Sequence, residues 1–212
     1  MSRRRPVLAF GSIVAAAAVG PPGDGEDAAA RVLDAAAEHL RRFGLRRWSV
    51  DDVADAAGVG RTTVYRWFGS RDDLVHAVLA RELRETLDAV ARATAGAATF
   101  EDRAVEATLV CVAALDGSVV DHLVRHDPAA VLPLLTTEAG PLLDLARAAL
   151  APQLVAAGIA RDRAQAELLA EALARLGLSF VLSRSSVVPV DDPERLRAAI
   201  RHLLGPLLAA AR

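Results

Sequence analysis

The sequence predicts an all-helical protein, and three observations support that prediction. Of the 212 residues 53% are hydrophobic, which is enough to bury a sizeable core. Only 4% are aromatic, and alanine and leucine outnumber the valine, threonine and aromatic residues that strands prefer. Apolar residues recur at intervals of three and four from residue 27 onward, which is the repeat of an amphipathic helix.

The first 25 residues imitate an export signal. Three arginines at residues 3–5 precede an apolar run over residues 7–20, as in a secretory or twin-arginine signal. The run is too short to span a bilayer, and residues 21–25 lead directly into a helix. We therefore expect residues 1–25 to be a flexible tail or the product of a start codon placed too far upstream. We expect the protein to act in the cytoplasm without a membrane partner. The single cysteine, Cys111, suits such a reducing compartment.

Positive charge is concentrated in one stretch of the chain. The formal net charge is −2, and all 25 basic residues are arginine. Residues 41–71 nevertheless hold seven arginines against three aspartates, a local charge of +4. The planar fork of arginine suits phosphate and guanine, so this stretch is the candidate for contact with a polyanion.

Residues 27–43 are expected to form an amphipathic helix that ends at Gly44. Two short helices joined by a glycine turn follow. Ser49 and Asp52 have the spacing of a capping box, so the first of these helices is expected over Val50–Ala57. The apolar stripe of the preceding helix consists of Val32, Leu33, Ala36, Ala37, Leu40 and Phe43.

The glycine turn gives a helix-turn-helix arrangement. Gly58 can adopt a positive φ, and a third helix is expected over residues 61–68. Ala54 is small where the two short helices cross. The apolar groups that would pack between them are Val53, Ala57, Val59 and Val64.

The residues left pointing outward suit nucleic acid. They are Arg61, Thr62, Thr63, Tyr65 and Arg66. Their guanidinium and hydroxyl groups can donate hydrogen bonds to phosphates and base edges, so we expect residues 61–68 to read DNA. The alternative is a helical hairpin whose polar face is only solvated.

The motifs Ser49–Ala54, Gly58–Val59, Thr62–Phe68 and Arg71–Leu74 make residues 27–75 similar to the DNA-binding domain of the TetR/AcrR family of bacterial transcriptional regulators. The resemblance implies a TetR-like fold, with a three-helix DNA-binding domain at residues 26–72 and a helical ligand-binding and dimerisation domain at residues 73–212. Arg71 stands where the family usually has lysine at a phosphate, and Trp67 stands where tyrosine or histidine is commoner. The DNA-contacting residues that we expect are Ser49, Arg61, Thr62, Thr63, Tyr65, Arg66, Trp67 and Arg71.

Two further helices follow the DNA-binding region. Ser70 with Asp73 starts a long helix that links this region to the rest of the chain. Thr99 with Asp102 starts another, in which Cys111 is expected to be a buried and inert thiol.

Glycines and prolines break residues 117–141 into short pieces, which is typical of a cavity wall. His122 and His126 share one helical face there, but two ligands do not make a metal site, so pocket lining or a solvated face is the interpretation. Thr136 and Thr137 are expected first to cap the next helix and second to line a pocket. We expect no metal and no cofactor. The expected effector contacts are His122, Arg125, His126, Thr137 and Ser179.

The last two helices predict a homodimer. Residues 161–183 are apolar on nearly every side, and Asp192 with Pro193 starts a final helix. The apolar seam of that helix consists of Leu196, Ile200, Leu203, Leu204, Leu207 and Leu208. One chain of this size cannot cover both helices, so we expect a twofold four-helix interface, which the family resemblance also implies.

Three classes of function remain to be compared. The leading one is a ligand-responsive repressor that binds double-stranded operator DNA and is released by a small, largely apolar effector. The segment from residues 132–137 to residues 180–194 is similar to the C-terminal domain of the QsdR type, which implies a lactone-like or acyl-chain effector. A DNA-binding protein without effector control is the alternative. An enzyme is not expected, because the sequence has no P-loop, dinucleotide fingerprint, G-x-S-x-G, H-E-x-x-H or C-x-x-C motif.

Overall fold

The computed structural model describes residues 8, 11–13, 26–183 and 187–209, and these residues contain helices and connecting turns but no strand. The all-helical prediction is confirmed, and the predicted helix bounds agree to within two residues. The helices from residue 26 onward are α1 Glu26–Phe43, α2 Val50–Ala57, α3 Arg61–Phe68, α4 Arg71–Thr94, α5 Phe100–Leu115, α6 Val119–His126, α7 Pro128–Leu135, α8 Gly140–Ala156, α9 Arg163–Leu182 and α10 Pro193–Ala209.

The chain divides into two compact units that differ from a simple split along the sequence. Unit 1 holds residues up to 85 together with residues 117–139, so α6 and α7 belong with α1, α2 and α3. Unit 2 holds residues 86–116 and the residues from 140 onward, with α5, α8, α9 and α10. Helix α4 is continuous and contributes residues to both units. The functional division between residues 72 and 73 stays a prediction.

The core of unit 1 forms around α1. Its residues Val32, Leu33, Ala36, Ala37 and Leu40 are buried, as their spacing predicts. Phe43 is 38% exposed instead of buried, and its ring stacks on His39 and under the guanidinium of Arg42. Of the expected tail, only residues 8 and 11–13 are described, and Leu8 and Ile13 pack into this core. The remainder of residues 1–25 lies outside the described residues.

A corner formed by Gly44 and Leu45 joins α1 to α2 and is held from two sides. Gly44 has φ +68°, as its position after the helix predicts. The backbone amide of Leu45 donates to Oδ2 of Asp127 at 2.7 Å. The carbonyl of Leu45 accepts from the guanidinium of Arg71, which lies 4.3 Å from the ring centroid of Trp48. The Gly44–Leu45 corner therefore joins the end of α1 to the end of α6 and the start of α4.

A second polar junction in unit 1 lies at Glu82 of α4. Its Oε1 accepts from the backbone amide of Val119, at the start of α6, at 3.0 Å. Arg41 of α1 lies 3.6 Å from the same oxygen. Burial raises the pKa of the Glu82 carboxyl above its ordinary value, although these partners oppose the rise. Helices α1, α4 and α6 are thus joined by polar contacts as well as by apolar packing.

Unit 2 packs α8 against α9 and α10 against α5. Its core includes Phe100 and Val105 of α5, Leu154 of α8, and Leu196 and Ile200 of α10. The predicted N-terminal caps of α5 and α10 are present. The Thr99 hydroxyl accepts from the amide of Asp102, and the Asp192 carboxylate accepts from the amides of Glu194 and Arg195.

Two expectations for the C-terminal part of the chain are wrong. Cys111 is exposed on α5, although desolvation by the atoms around its sulfur raises the pKa of the thiol. Thr136 donates its hydroxyl to the carbonyl of Leu132 and so closes α7 rather than capping α8.

In the described part of the chain, no single helix combines the length and the apolar character that crossing a membrane requires. Two interrupted helix pairs, α5 with α6 and α7 with α8, meet those criteria only jointly.

Two of the positive-φ glycines of unit 1, Gly44 and Gly58, provide a matched test of the Gly44–Leu45 corner. Gly58 has φ +67° and open space where a Cβ would lie, so Gly58→Ala should cost only backbone strain, about 1–2 kcal/mol. At Gly44 a Cβ would also come within 2.3 Å of Oδ2 of Asp127 and would displace that carboxylate from Leu45. Gly44→Ala should therefore lower the free energy of unfolding by about 1–3 kcal/mol more than Gly58→Ala does, as measured by urea denaturation. Equal losses of unfolding free energy in the two variants would show that the hydrogen bond between the Leu45 amide and Asp127 does not stabilise the corner.

Candidate nucleic-acid interface

The interface begins with the cap of α2. The Ser49 hydroxyl accepts from the amide of Asp52 at 3.2 Å, and the Asp52 carboxylate accepts from the Ser49 amide at 2.9 Å. The hydroxyl also donates to the same carboxylate at 2.7 Å, and these bonds hold the pKa of Asp52 below its ordinary value. The predicted capping box is confirmed, and the exposed Ser49 hydroxyl already serves the helix terminus.

The turn between α2 and α3 is fixed by glycine geometry and by apolar packing. Gly58 adopts φ 67° and ψ 37°, and its amide points back to the carbonyls of Ala54 and Asp55. The amide of Val59 also donates to Ala54, at 3.0 Å. Val53, Ala54, Ala57 and Val64 are buried between the helices, as predicted. The orientation of α3 on α2 is therefore set by the interior, which leaves its outer face free to contact a partner.

The outer face of α3 is polar and accessible. Arg61, Thr62, Tyr65 and Arg66 are exposed, while Thr63 is half-buried. Gly60 caps α3 without a side-chain hydrogen bond, so the first amides of α3 have no side-chain acceptor at the cap. Exposed donors at a helix N-terminus are favourable for phosphate. The structure thus places six of the eight predicted DNA-contacting residues on α3, four of them exposed and Thr63 and Trp67 half-buried.

Arg61 is held in place by a residue that the sequence analysis missed. Its Nη1 lies 2.8 Å from Oδ2 of Asp51, in the first turn of α2. The same guanidinium lies 5.4 Å from the ring centroid of Tyr65. An exposed pair of this kind contributes little to stability, so its consequence is orientation of the arginine fork. The signal in the sequence was that Asp51 and Arg61 each lie in the first turn of a short helix, and only the packing of those two helices brings them together.

Trp67 and Arg71 differ from the other predicted contacts. Trp67 is half-buried and packs against the core of unit 1. The guanidinium of Arg71 already contacts the carbonyl of Leu45 and the ring of Trp48. Both side chains support the fold, and their contacts with phosphate stay predictions.

The positive stretch over residues 41–71 is divided among several environments. Arg41 lies between Glu38 and Glu82, at 3.7 and 3.6 Å. Arg42 covers the ring of Phe43. Arg46 and Arg47 are exposed in the turn before α2. The accessible positive charge is therefore concentrated in that turn and on α3.

The predicted effector contacts do not form one cluster within a unit. The rings of His122 and His126 stack on α6 with centroids 4.0 Å apart, and Arg125 pairs with Asp121. Desolvation lowers the pKa of His122, and the neighbouring His126 lowers it further. Within the described ranges, no three histidine, cysteine or acidic side chains are grouped so as to hold a metal.

The other two predicted contacts lie apart from that helix. Thr137 is exposed in the turn after α7. Ser179 belongs to unit 2, where its hydroxyl donates to the carbonyl of Leu176 at 2.7 Å. The effector role of all five residues stays a prediction.

Comparison with known proteins agrees with this geometry. Residues 32–78 match the family of bacterial regulatory proteins of the tetR type, and residues 88–206 match the bacterial tetracyclin repressor C-terminal domain. The transcriptional regulator AlkX of Mycobacterium tuberculosis is 31% identical over 178 residues, which cover 82% of each chain.

A solved structure shows the same relationship. The TetR family repressor AlkX from a Dietzia strain, implicated in biodegradation of n-alkanes, is 27% identical with a TM-score of 0.58, and the match covers 87% of this chain and 97% of that one. The repressor QsdR of R. erythropolis is 24% identical with a TM-score of 0.49 over 85% of this chain and 96% of that one, which is too distant to indicate an effector. The family matches cover most of the sequence, and the chain belongs to the TetR family of transcriptional regulators.

Proposed function

We propose that this regulator is a cytoplasmic homodimeric repressor that binds a palindromic operator and is released from it by a small, largely apolar effector. The observation that supports the proposal is the exposed face of α3, which carries donors for phosphates and bases and is fixed on α2 by buried packing. The similar proteins are transcriptional regulators rather than enzymes, which supports a function in binding without catalysis.

The first two turns of α3 carry the side chains that would contact DNA. Arg61 and Thr62 lie at the N-terminal end and would face base edges in the major groove. The Tyr65 hydroxyl lies one turn further and would meet a phosphate. In a twofold dimer the two α3 helices would enter successive major grooves, so half-sites should lie about one helical turn (~34–36 Å) apart.

Dimerisation through α9 and α10 is supported by their uncovered apolar side chains. Leu168 of α9 is 74% exposed and Leu203 of α10 is 42% exposed, while Leu196, Ile200 and Leu204 of α10 are buried within unit 2. Helix α10 thus has one face in the core of the subunit and another that presents leucine outward. Both helices pack against α5, and large exposed apolar side chains on such helices are typical of a protein interface.

Effector control is supported by the continuity of α4 and by the Dietzia relative. Helix α4 contributes residues to both units without a break, so a tilt imposed in unit 2 would reach its first residue, Arg71. The association of that relative with n-alkane degradation favours an apolar effector. The alternative, a DNA-binding protein without effector control, predicts that no small molecule changes operator affinity.

The first prediction concerns α3. Arg61→Ala should cost about 1–3 kcal/mol at one base position, whereas Tyr65→Phe should weaken all sequences alike because a phosphate contact carries no sequence information. Arg92→Ala, in the exposed last turn of α4, serves as a control that removes one arginine outside the DNA-binding helices and outside α9 and α10. Mobility-shift titrations at two salt concentrations measure both effects. Operator binding that survives the combination of Arg61→Ala, Thr63→Ala and Tyr65→Phe would overturn the assignment of α3.

The second prediction concerns assembly. Leu203→Glu places a charge in the proposed interface, where it would lose water without gaining a partner, so the variant should be monomeric in light scattering. Leu87→Glu provides a matched control, since Leu87 of α4 is 43% exposed and lies outside α9 and α10. A Leu203→Glu dimer with normal DNA affinity would place the interface elsewhere.

The third prediction concerns coupling. An effector identified by thermal-shift screening should bind the free dimer about 10²-fold more tightly than the operator-bound dimer, which corresponds to about 2.7 kcal/mol. Calorimetric titration of that compound with and without operator DNA measures the ratio directly. Equal affinities in the two titrations would exclude allosteric release and favour the alternative without effector control.

A further inference from the structure

A cleft of about 800 Å³ opens in unit 2, where α4 ends and α5 begins. Its walls come from residues 94–103, from the end of α8 and from the last turns of α10. None of the five predicted effector contacts lines it. Its volume lies within the range of small-molecule sites, so the chemistry of its walls decides what it can bind.

Arg103 of α5 is the unusual residue in this wall. Its Nε is buried and has no acceptor, and its Nη1 makes only a long 3.4 Å contact with the carbonyl of Ala97. Among the described residues it forms no ion pair, whereas Arg197 and Arg201 of α10 pair with Glu106 and Asp102 of the same α5 helix. A buried donor without an acceptor is costly, and a carboxylate would satisfy it with a strong charge-assisted bond.

The remaining walls restrict the ligand further. Phe100, Ile159 and Leu208 are buried apolar residues, and short alanine side chains complete the apolar surface. Glu101 also lines the cleft and is the only acidic residue among the lining residues, so it disfavours a second negative charge on the ligand. Gln153 donates its amide to the carbonyl of Ala149, which leaves its side-chain oxygen available to accept from a ligand hydroxyl.

We propose that this cleft is a binding site for a small monocarboxylate with a compact apolar body. A rotation of the Arg103 side chain turns its buried Nε toward the cleft, so that the carboxylate accepts hydrogen bonds from the Nε–Nη2 edge of the guanidinium. The apolar body lies against Phe100, Ile159 and Leu208. The site deepens the proposed effector control, because it gives the effector a location and a charge. Binding of the carboxylate in the cleft can be measured in the absence of DNA, separately from any effect on operator affinity.

The test uses the full chain and thermal unfolding with cyclohexanecarboxylate and its neutral counterpart cyclohexylmethanol, both at millimolar concentration. The carboxylate should raise the Tm of the wild type by roughly 3 °C or more, and the alcohol should have a much smaller effect. Arg103→Met should abolish the carboxylate shift without lowering the Tm of the free protein, because the arginine has no carboxylate partner to lose. Arg92→Met, an exposed change in the last turn of α4 that does not line the cleft, should keep the full shift.

Several results would overturn the proposal. One is the absence of any carboxylate shift in the wild type, and another is an equal shift in wild type and Arg103→Met. If Arg103→Met is unstable, Arg103→Lys replaces it, and an undiminished carboxylate shift in that variant also overturns the proposal, since lysine lacks the Nε donor. Operator affinity is measured separately. A carboxylate that binds through Arg103 but leaves operator affinity unchanged supports the site and counts against effector control.

Discussion

The DNA-binding unit depends on the Gly44–Leu45 corner. Here the chain turns between α1 and α2, and Leu45 presents both its amide and its carbonyl to partners outside those helices. Asp127 accepts from the amide and Arg71 donates to the carbonyl, so the positions of α6 and α4 are set relative to the start of the helix-turn-helix. A positive φ at Gly44 is required for this arrangement, and a side chain at that position would occupy the place of the Asp127 carboxylate.

The Gly44–Leu45 corner connects the DNA-binding helices to a helix from a later part of the chain. Helices α6 and α7 follow α5 in the sequence but pack with the DNA-binding helices. Two polar junctions hold α6 there, one at each end: Glu82 with the amide of Val119, and Asp127 with the amide of Leu45. Hydrogen bonds of this kind are directional, unlike apolar contacts, so a shift of α6 would change the geometry at the start of α2 and α4. The stacked histidines of α6 lie between these two junctions.

The helices and their caps could be predicted from the sequence because local rules determine them. The Ser49 and Asp52 capping box, the turn at Gly58 and the buried face of α1 each depend on residues only a few positions apart. The exposure of Arg61, Thr62, Tyr65 and Arg66 followed from the same periodicity. A helix repeat shows which face is apolar, but it does not show which element covers that face.

Contacts between distant residues could not be predicted for that reason. Leu45 and Asp127 are 82 positions apart, and no spacing rule relates them. The same holds for the ion pair of Arg61 with Asp51, for the exposure of Cys111 and Phe43, and for the cleft around Arg103. Each depends on how helices cross or on where a neighbouring helix ends. The residues that orient or surround a site are therefore harder to predict from the sequence than the helix on which the site lies.

The central claim is that α3, oriented by α2, reads DNA sequence as part of a twofold dimer. Selection of binding sites from random DNA by the purified protein tests this most directly, with wild type and Arg61→Ala run in parallel. The account predicts an inverted repeat with half-sites about one helical turn apart for the wild type, and loss of preference at one symmetry-related base pair for the variant. Enrichment without a repeat, or the same preferences in both proteins, would contradict it.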